Sequence, residues 1–282
     1  MADQDSQSHE GGTYGSSAAA EGWQRSAAAR AEILGPITER MLDLAGIEAG
    51  SRVLDVAAGS GEQTLLAARR VGPGGYVLAT DVAARMLAGA VEAARQAGLT
   101  NIETRVMDAR SLDLDPESFD AAISRLALML IPQRERALNR IRRALKPGKR
   151  FATIVVSTVE KSPRLALPLA IAGRRAGLPS KPFEDPGMFA LGEPGVLLAA
   201  YERAGFRDVV VEATTVERRF PTLALAVQHC RDVLPEVAQL MADLSVSEQD
   251  AAWAEVEGAF RQFQEPRGIV LPQEYLVGVG TK

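Results

Sequence analysis

The residues best suited to chemistry lie in two turns, each at the end of a short apolar run. Residues 53–56 lead into Gly59-Ser60-Gly61, and residues 76–80 lead into Asp81, twenty residues after Gly61. Glycine lets backbone amides approach a ligand closely because it has no Cβ atom. A carboxylate at the end of the neighbouring strand can accept from both hydroxyls of a ribose. The pair therefore predicts a nucleotide-like ligand across the ends of two adjacent parallel strands.

The first turn is compatible with two kinds of ligand. A dinucleotide-binding turn has a third glycine and places a pyrophosphate at the helix N-terminus. Here Thr64 stands at the third glycine position, and the helix begins with Glu62, whose carboxylate would repel a pyrophosphate. The turn favours a ligand with ribose and adenine but no phosphate, such as S-adenosylmethionine. A nicotinamide-dependent oxidoreductase is the alternative, and equilibrium binding of NAD distinguishes the two.

Apolar runs alternate with helical segments along the chain, which predicts a parallel sheet covered on both faces. Strands are predicted at 52–57, 76–80, 102–106, 119–124, 149–156, 209–219 and 275–280. Helices are predicted at 23–45, 62–71, 83–97, 133–145 and 196–204, with mostly helical structure over 223–264. Six prolines divide 160–200 into short pieces that we expect to cap the site.

Five motifs in order resemble those of a class I S-adenosylmethionine-dependent methyltransferase, in the branch similar to the ubiquinone/menaquinone biosynthesis methyltransferases. They lie at residues 54–61, 80–87, 107–109, 119–125 and 143–148. The resemblance implies an α/β fold with a doubly wound, mostly parallel, seven-stranded Rossmann-like sheet and a largely helical substrate cap. We expect a flexible tail over 1–22 and one domain over 23–282, with cap segments at about 158–200 and 220–265.

The resemblance implies roles for the residues of the two turns. The backbone of Ala57, Gly59 and Gly61 would line the methionine part of the cofactor. Asp55 would lie beneath it, either touching the cofactor amino group or holding the turn together, with the structural role favoured. Asp81 would accept from the ribose hydroxyls. The family usually has glycine where Ala57 stands, and we expect alanine to be tolerated there with a negative φ.

The resemblance implies six further contacts on the adenine side and on the floor of the site. They are Val82 and Met86 packing on the adenine ring, Asp108 accepting from its amino group with Ala109 beside it, and Ser124 and Arg125 between cofactor and acceptor. Asp108 could instead cap a helix.

His229 is the candidate general base, since imidazole titrates near neutral pH. A structural role for this histidine is favoured. Cys230 beside it has no second cysteine, so we expect no metal site. Three apolar residues of the proline-rich segment, Phe183, Met188 and Phe189, are candidates for lining a substrate pocket, and Trp23 is a candidate for closing the site.

The composition and charge of the chain indicate which partners and which location to expect. The chain of 282 residues has a net charge of −4, and its mean hydropathy is −0.03. The basic run over 134–150 is interpreted as a solvated helix face, because it lacks the interleaved aromatics of an RNA-binding surface. We expect no nucleic-acid partner, no membrane span and, with one cysteine, a cytoplasmic location.

The predicted activity is in-line methyl transfer from S-adenosylmethionine to a small acceptor. The largely apolar cap favours a hydrophobic or aromatic acceptor, methylated on oxygen, nitrogen or carbon. A nucleic-acid or protein methyltransferase is the first alternative, and a protein that binds the cofactor without catalysis is the second. The sequence does not distinguish acceptor, methylated atom or oligomeric state.

Overall fold

A computed structural model describes residues 27–178 and 185–282 of the chain. The predictions for the tail at 1–22, for Trp23 and for Phe183 lie outside these residues. Within them, no helix has both the length and the hydropathy needed to cross a membrane.

The centre of the fold is a mixed sheet. Its parallel strands are β1 (Arg52–Val56), β2 (Tyr76–Asp81), β3 (Ile102–Val106), β4 (Phe119–Arg125) and β5 (Leu145–Val156). The C-terminal strands are β6 (Arg207–Phe220), the two-residue β7 (Gln264–Glu265) and β8 (Gly268–Thr281). The order is β3-β2-β1-β4-β5-β8-β6, with β8 antiparallel to β5, β6 and β7. The mostly parallel, Rossmann-like sheet is confirmed.

Helices connect and cover these strands. They are α1 (Ala27–Leu44), α2 (Glu62–Val71), α3 (Ala84–Gln96), α4 (Arg134–Ala144), α5 (Pro163–Arg175), α6 (Pro194–Arg203), α7 (Leu223–Val233), α8 (Pro235–Leu240) and α9 (Val246–Phe260). Local sequence sets some of their ends. For example, α9 begins at a capping box in which the Ser245 side chain accepts from the Glu248 backbone while the Glu248 side chain accepts from the Ser245 backbone.

The parallel arrangement brings the chemistry-bearing turns to one edge of the sheet. β1 lies between β2 and β4, with Leu54 paired to both Leu78 and Ala122. These strand residues are fully buried, which matches the nearly continuous apolar runs from which the strands were predicted. Because parallel strands end at the same edge, the turns after β1, β2, β3 and β4 adjoin one another.

The C-terminal strands are longer than predicted, because glycine and proline inside β8 obscure its pattern. A Cβ atom at Gly280 would lie 2.7 Å from the ring of Tyr201, and Tyr201 Oη donates to the Gly278 carbonyl at 3.1 Å. These glycines let α6 pack closely on the sheet. β5 begins at Leu145 rather than 149, because Leu145 pairs with Phe119 before the register shifts.

The proline-rich segment contains a longer helix than expected, since α5 continues through Pro168. Proline has no N–H and cannot donate to the carbonyl four residues earlier, at Arg164. The Cys230 thiol lies 3.8 Å from that carbonyl oxygen and donates to it. Burial raises the pKa of Cys230 to about 11, which keeps the thiol protonated as a donor. Cys230 therefore has a structural role.

Candidate cofactor and acceptor site

Asp81 lies at the end of β2, where the sequence predicts a ligand-binding carboxylate. Its Oδ2 accepts from the Gly59 backbone N–H at 2.9 Å, and its Oδ1 accepts from the Ala83 N–H at 2.9 Å. Burial raises the pKa of Asp81 above its ordinary value, although these backbone donors act in the opposite direction. The Val82 N–H is a third backbone donor, and the carboxylate still keeps lone-pair capacity for a hydroxyl donor.

In the turn after β1, every second residue from 57 to 61 has a positive φ angle. Ala57 has φ +55°, Gly59 +59° and Gly61 +86°. The expected negative φ of Ala57 is wrong, because the turn requires the left-handed conformation there whatever the residue type. Gly61 is required for a second reason, since a Cβ atom would lie 2.7 Å from the Ala90 Cβ of α3. The absence of a side chain at Gly61 thus serves close packing of α3 against the turn.

Asp55 is fully buried in β1 beneath this turn. It accepts from Thr64 Oγ1 at 2.6 Å and from Gln63 Nε2 at 3.2 Å, and Gln63 also donates to the Ala58 carbonyl at 3.1 Å. Burial raises the pKa of Asp55 to about 6, and the two side-chain donors lower it. These contacts anchor the first turn of α2 to β1, in line with the structural role that the sequence favours.

Glu62, at the start of α2, is held between two arginines. Its carboxylate pairs with Arg30 of α1 and accepts from Arg125 Nη2 at 2.8 Å. Arg125 also donates to Thr38 Oγ1 at 3.2 Å, and Arg30 donates to Ser60 Oγ at 3.3 Å. Burial lowers the pKa of Arg30 to about 10 and also lowers that of Arg125. The structure therefore places Arg125, predicted as the floor of the site, in a buried ion pair behind the turn.

The predicted adenine side has mixed surroundings. Val82 is 47% exposed at the edge of the turn after β2, whereas Met86 and Ala109 are buried. Asp108 caps the short 3-10 turn Ala109–Ser111 by accepting from the Arg110 N–H at 2.8 Å, and it also holds the Arg110 guanidinium. An adenine amino group would therefore have to share Asp108 with Arg110.

Ser124, near the end of β4, is buried, and its Oγ has no hydrogen-bond partner among the described residues. Next to Arg125, Leu126 is held at φ +57°, a left-handed conformation that is unusual for leucine. The chain thus changes direction sharply at the end of β4.

A cavity opens at the same edge of the sheet, with about 670 Å³ of empty space including its mouth. Its apolar lining comprises Ile33, Leu34, Leu126, Met129, Val156, Leu165, Met188, Val233 and Leu234, and its polar lining comprises Arg30, Arg164, His229, Glu236 and Tyr275. Arg30 belongs both to this lining and to the cofactor turn, because it contacts Ser60 and Glu62.

His229 lies in this cavity, as expected of a candidate base, but its environment opposes protonation. Burial lowers the pKa of His229 to about 3, assisted by the positive charges of Arg218 and Arg164. Its ring packs on Phe220 with the centroids 5.3 Å apart. A neutral imidazole of such low basicity is a poor proton acceptor at neutral pH.

Glu236, at the start of α8, was missed by sequence reasoning. Its Oε1 is buried and has no hydrogen-bond partner in the part of the chain that the structure describes. Burial raises the pKa of Glu236 to about 7. In the sequence it resembles an ordinary first-turn helix glutamate after Pro235, so no local signal marks it.

The residues at the carboxyl ends of β1 to β3 suit the adenosine part of S-adenosylmethionine. Asp81 supplies acceptors for hydroxyl donors, and Val82 supplies exposed apolar surface beside it. Glu62 and Asp108 are each paired with arginine, so neither presents an uncompensated negative charge to a ligand. Within 27–178 and 185–282, no group of three or more His, Cys, Asp and Glu side chains forms a metal site.

Comparison with known proteins decides the class of domain. Residues 47–171 match the family model described as a methyltransferase domain. The match assigns this segment, rather than the whole chain, to the methyltransferase domains. A ubiquinone/menaquinone biosynthesis C-methyltransferase from Methylococcus capsulatus is 35% identical over 119 residues, covering 42% of this chain and 48% of that protein. The chain thus matches about half the length of that curated relative.

Solved structures share the fold at low sequence identity. The YcgJ protein of Bacillus subtilis has a TM-score of 0.59 at 18% identity, covering 87% of this chain and 97% of that one. The [4+2]-cyclase SpnF has a TM-score of 0.55 at 21% identity, covering 87% and 80%. Since one of these proteins is described as a cyclase, the reaction must be argued from the site and not from the fold.

Proposed function

We propose that this protein transfers a methyl group from S-adenosylmethionine to a small, largely apolar acceptor bound in the cavity beside the turn after β1. The observation that carries the proposal is the double position of Arg30. It contacts Ser60 and Glu62 of the cofactor turn, and it also lines the cavity. A ligand on the turn and a ligand in the cavity would therefore adjoin each other.

The chain's own contribution would be placement and exclusion of water. The bound cofactor supplies an electrophilic methyl group, so the protein has mainly to align a nucleophile with it. Asp81 and the turn at Gly59 would hold the cofactor, while Leu126 and Met129 would surround the acceptor with apolar surface. An apolar lining would exclude water around the acceptor, which would strengthen electrostatic interactions with it.

A small acceptor is favoured over a nucleic acid or a protein. Several cations of the basic segment are already occupied, since Arg134 pairs with Asp185, and Lys146 Nζ lies 2.7 Å from Asp120. The cavity is also predominantly apolar. We further propose cap segments at about 158–200 and 220–265, because α5, α7 and α8 all contribute to the cavity lining. The single cysteine supports the proposal of a cytoplasmic location.

The test is calorimetric titration of the wild-type protein with S-adenosylmethionine, S-adenosylhomocysteine and NAD, followed by Asp81→Asn. The amide keeps the shape but loses the charge and one acceptor. Hydrogen bonds to charged groups contribute about 1.5–3 kcal/mol, so we expect the variant to bind S-adenosylmethionine roughly 10- to 100-fold more weakly. Asp120→Asn is the matched control, since Asp120 accepts from the Arg52 N–H at the opposite end of the sheet. Binding of NAD alone, or unchanged affinity in Asp81→Asn, would refute the assignment.

A further inference from the structure

The cavity contains one buried carboxyl group that nothing described so far uses. Glu236 lies on α8 with its Oε1 buried and without a hydrogen-bond partner among the described residues. The Glu236 carboxylate accepts from its own backbone N–H, but a buried Oε1 without a partner is costly, because this atom has given up water without gaining a replacement. Such a group facing a cavity is explained if a ligand in the cavity supplies the missing partner.

The other polar groups around the cavity are mostly cationic or neutral. Arg164 of α5 has no ion-pair partner among the described residues, and its guanidinium donates to Tyr275 Oη at 3.4 Å. Arg30 is already paired with Glu62. The depressed pKa of His229, caused in part by Arg164 and Arg218, indicates that positive charge acts on this region. The positive charge of these arginines would repel a cationic acceptor, whereas it would stabilise an acceptor that develops negative charge.

We propose that Glu236 is the base that removes the proton from a phenolic acceptor bound in this cavity. The proposal rests on the proposed function, since the methyl group must come from S-adenosylmethionine. The apolar lining would surround the aromatic ring, and Arg164 would stabilise negative charge on the oxygen as the proton leaves. Glu236 is the catalytic residue in this assignment, because it contacts the acceptor hydroxyl.

The step balances without a further reactant. The phenolic oxygen forms a bond to the methyl carbon, the carbon–sulfur bond breaks, and its electron pair stays on sulfur. The phenolic proton passes to the Glu236 carboxylate, which releases it to solvent after the product leaves. The cationic sulfonium becomes a neutral thioether as the Glu236 carboxylate becomes a neutral acid, so the step removes one positive and one negative charge together.

Glu236 suits this role better than His229. A base works best when its pKa lies near the working pH, and the pKa of Glu236 is raised to about 7 whereas that of His229 is lowered to about 3. The elements that pack against α8 are α5 and α7, and their titratable groups at the cavity are Arg164 and His229.

The decisive experiment compares two phenols in wild type, Glu236→Gln and the control Glu257→Gln. Glu257 lies on the exposed side of α9 and undergoes the same chemical change away from the cavity. With 4-methylphenol, which keeps its proton near pH 8, we expect Glu236→Gln to lower kcat at least about 100-fold. With 4-nitrophenol, which is largely ionised at that pH, the loss should be much smaller, because no base is needed. The rise of the wild-type rate as pH increases through about 7 should disappear in the variant.

Each result either supports or overturns the assignment. Equal losses with both phenols would indicate that Glu236 only maintains the shape of the cavity. Unchanged kcat, or methylation of amines but not of phenols, would overturn the proposal as well. Glu236→Asp restores the carboxylate and should recover part of the activity with 4-methylphenol, which a purely structural role would not predict.

A binding measurement separates this inference from the proposed function. The protein saturated with S-adenosylhomocysteine is titrated with 4-methylphenol in a calorimeter, without turnover. Failure to bind the phenol, in protein that binds S-adenosylmethionine normally, would overturn the role of Glu236 and leave the cofactor assignment intact. Failure to bind S-adenosylmethionine itself would overturn the proposed function.

Discussion

Replacing Ala57 by glycine should stabilise the protein. Ala57 has φ +55°, and the left-handed conformation costs an alanine about 1–2 kcal/mol relative to glycine. Glycine gains more freedom than alanine in the unfolded chain, which offsets about 0.4–1 kcal/mol of this benefit. The side chain is only partly buried, so little packing is lost. We therefore expect Ala57→Gly to raise the free energy of unfolding by about 1 kcal/mol.

The measurement is equilibrium unfolding in urea, with the midpoint compared at constant slope. Ala58→Gly is the matched control one residue away. Ala58 is outside the left-handed region and is fully buried, so its replacement removes a packed methyl group and adds unfolded-state entropy. Both effects destabilise, by about 1–2 kcal/mol in sum. The two glycine substitutions should thus have opposite signs.

Equal or lower stability of Ala57→Gly would refute the reasoning, because it would mean that Ala57 does not adopt the left-handed conformation in solution. The affinity for S-adenosylmethionine is the second readout. Because the backbone of the turn keeps its conformation in the variant, we expect affinity to change less than about threefold. A larger loss would show that the Ala57 methyl group itself contacts the cofactor.

Three further predictions concern groups around the same turn and cavity. Glu62→Gln should destabilise the protein by about 3 kcal/mol in urea unfolding, because it leaves the buried Arg125 guanidinium without its counter-charge. Gly61→Ala should cost at least about 2 kcal/mol through strain and overpacking, and the cost should be about 1 kcal/mol smaller in an Ala90→Gly background, as measured by a double-mutant cycle. Glu236→Gln should be more stable than wild type above pH about 7, by about 3 kcal/mol, and the difference should vanish below pH about 4.5.

The sign of the last prediction follows from proton binding. Folding raises the pKa of Glu236 from 4.5 to about 7, so the folded protein binds more protons between these values, and wild-type stability falls as pH rises through them. A stability difference between Glu236→Gln and wild type that does not change with pH would contradict this prediction.

For Glu62→Gln the control is Glu92→Gln, which removes an exposed partner of Arg95 and should have a much smaller effect on stability. Full additivity of the Gly61 and Ala90 substitutions would contradict the predicted clash.

The parallel half of the sheet could be predicted from sequence because its signals are local. Each of β1, β2 and β4 is a short apolar run buried on both faces, and each ends in a turn with glycine or a charged residue. The first and last residues of the C-terminal strands were harder to predict from the sequence. β8 contains Pro272, which weakens its strand pattern. Its glycines at 278 and 280 leave space that the Tyr201 ring occupies, and this neighbour is not visible in a sequence pattern.

The cofactor turn could be located from sequence, but its internal contacts could not. The position of Asp81 follows from strand and turn signals. The ion pairs of Glu62 with Arg30 and Arg125 could not be predicted in this way, because the two arginines lie 32 and 63 positions away in the sequence. The positive φ of Ala57 was missed for a related reason. Residue type alone argued for negative φ, whereas the backbone path of the turn sets the conformation.

Part of the proposed acceptor cavity is formed by residues outside the segment that matches the methyltransferase family. The match to the methyltransferase family ends at residue 171, whereas His229, Glu236 and Tyr275 of the cavity lie beyond it. The matched segment therefore contains the cofactor motifs, and these three cavity residues lie outside it. Acceptor preference can then differ among proteins with the same cofactor turn, since the groups that line the cavity come from separate segments. For this chain the acceptor has to be inferred from the cavity itself, and our proposal of a phenol rests on the Glu236 Oε1 atom without a hydrogen-bond partner among the described residues and on Arg164 in the same lining.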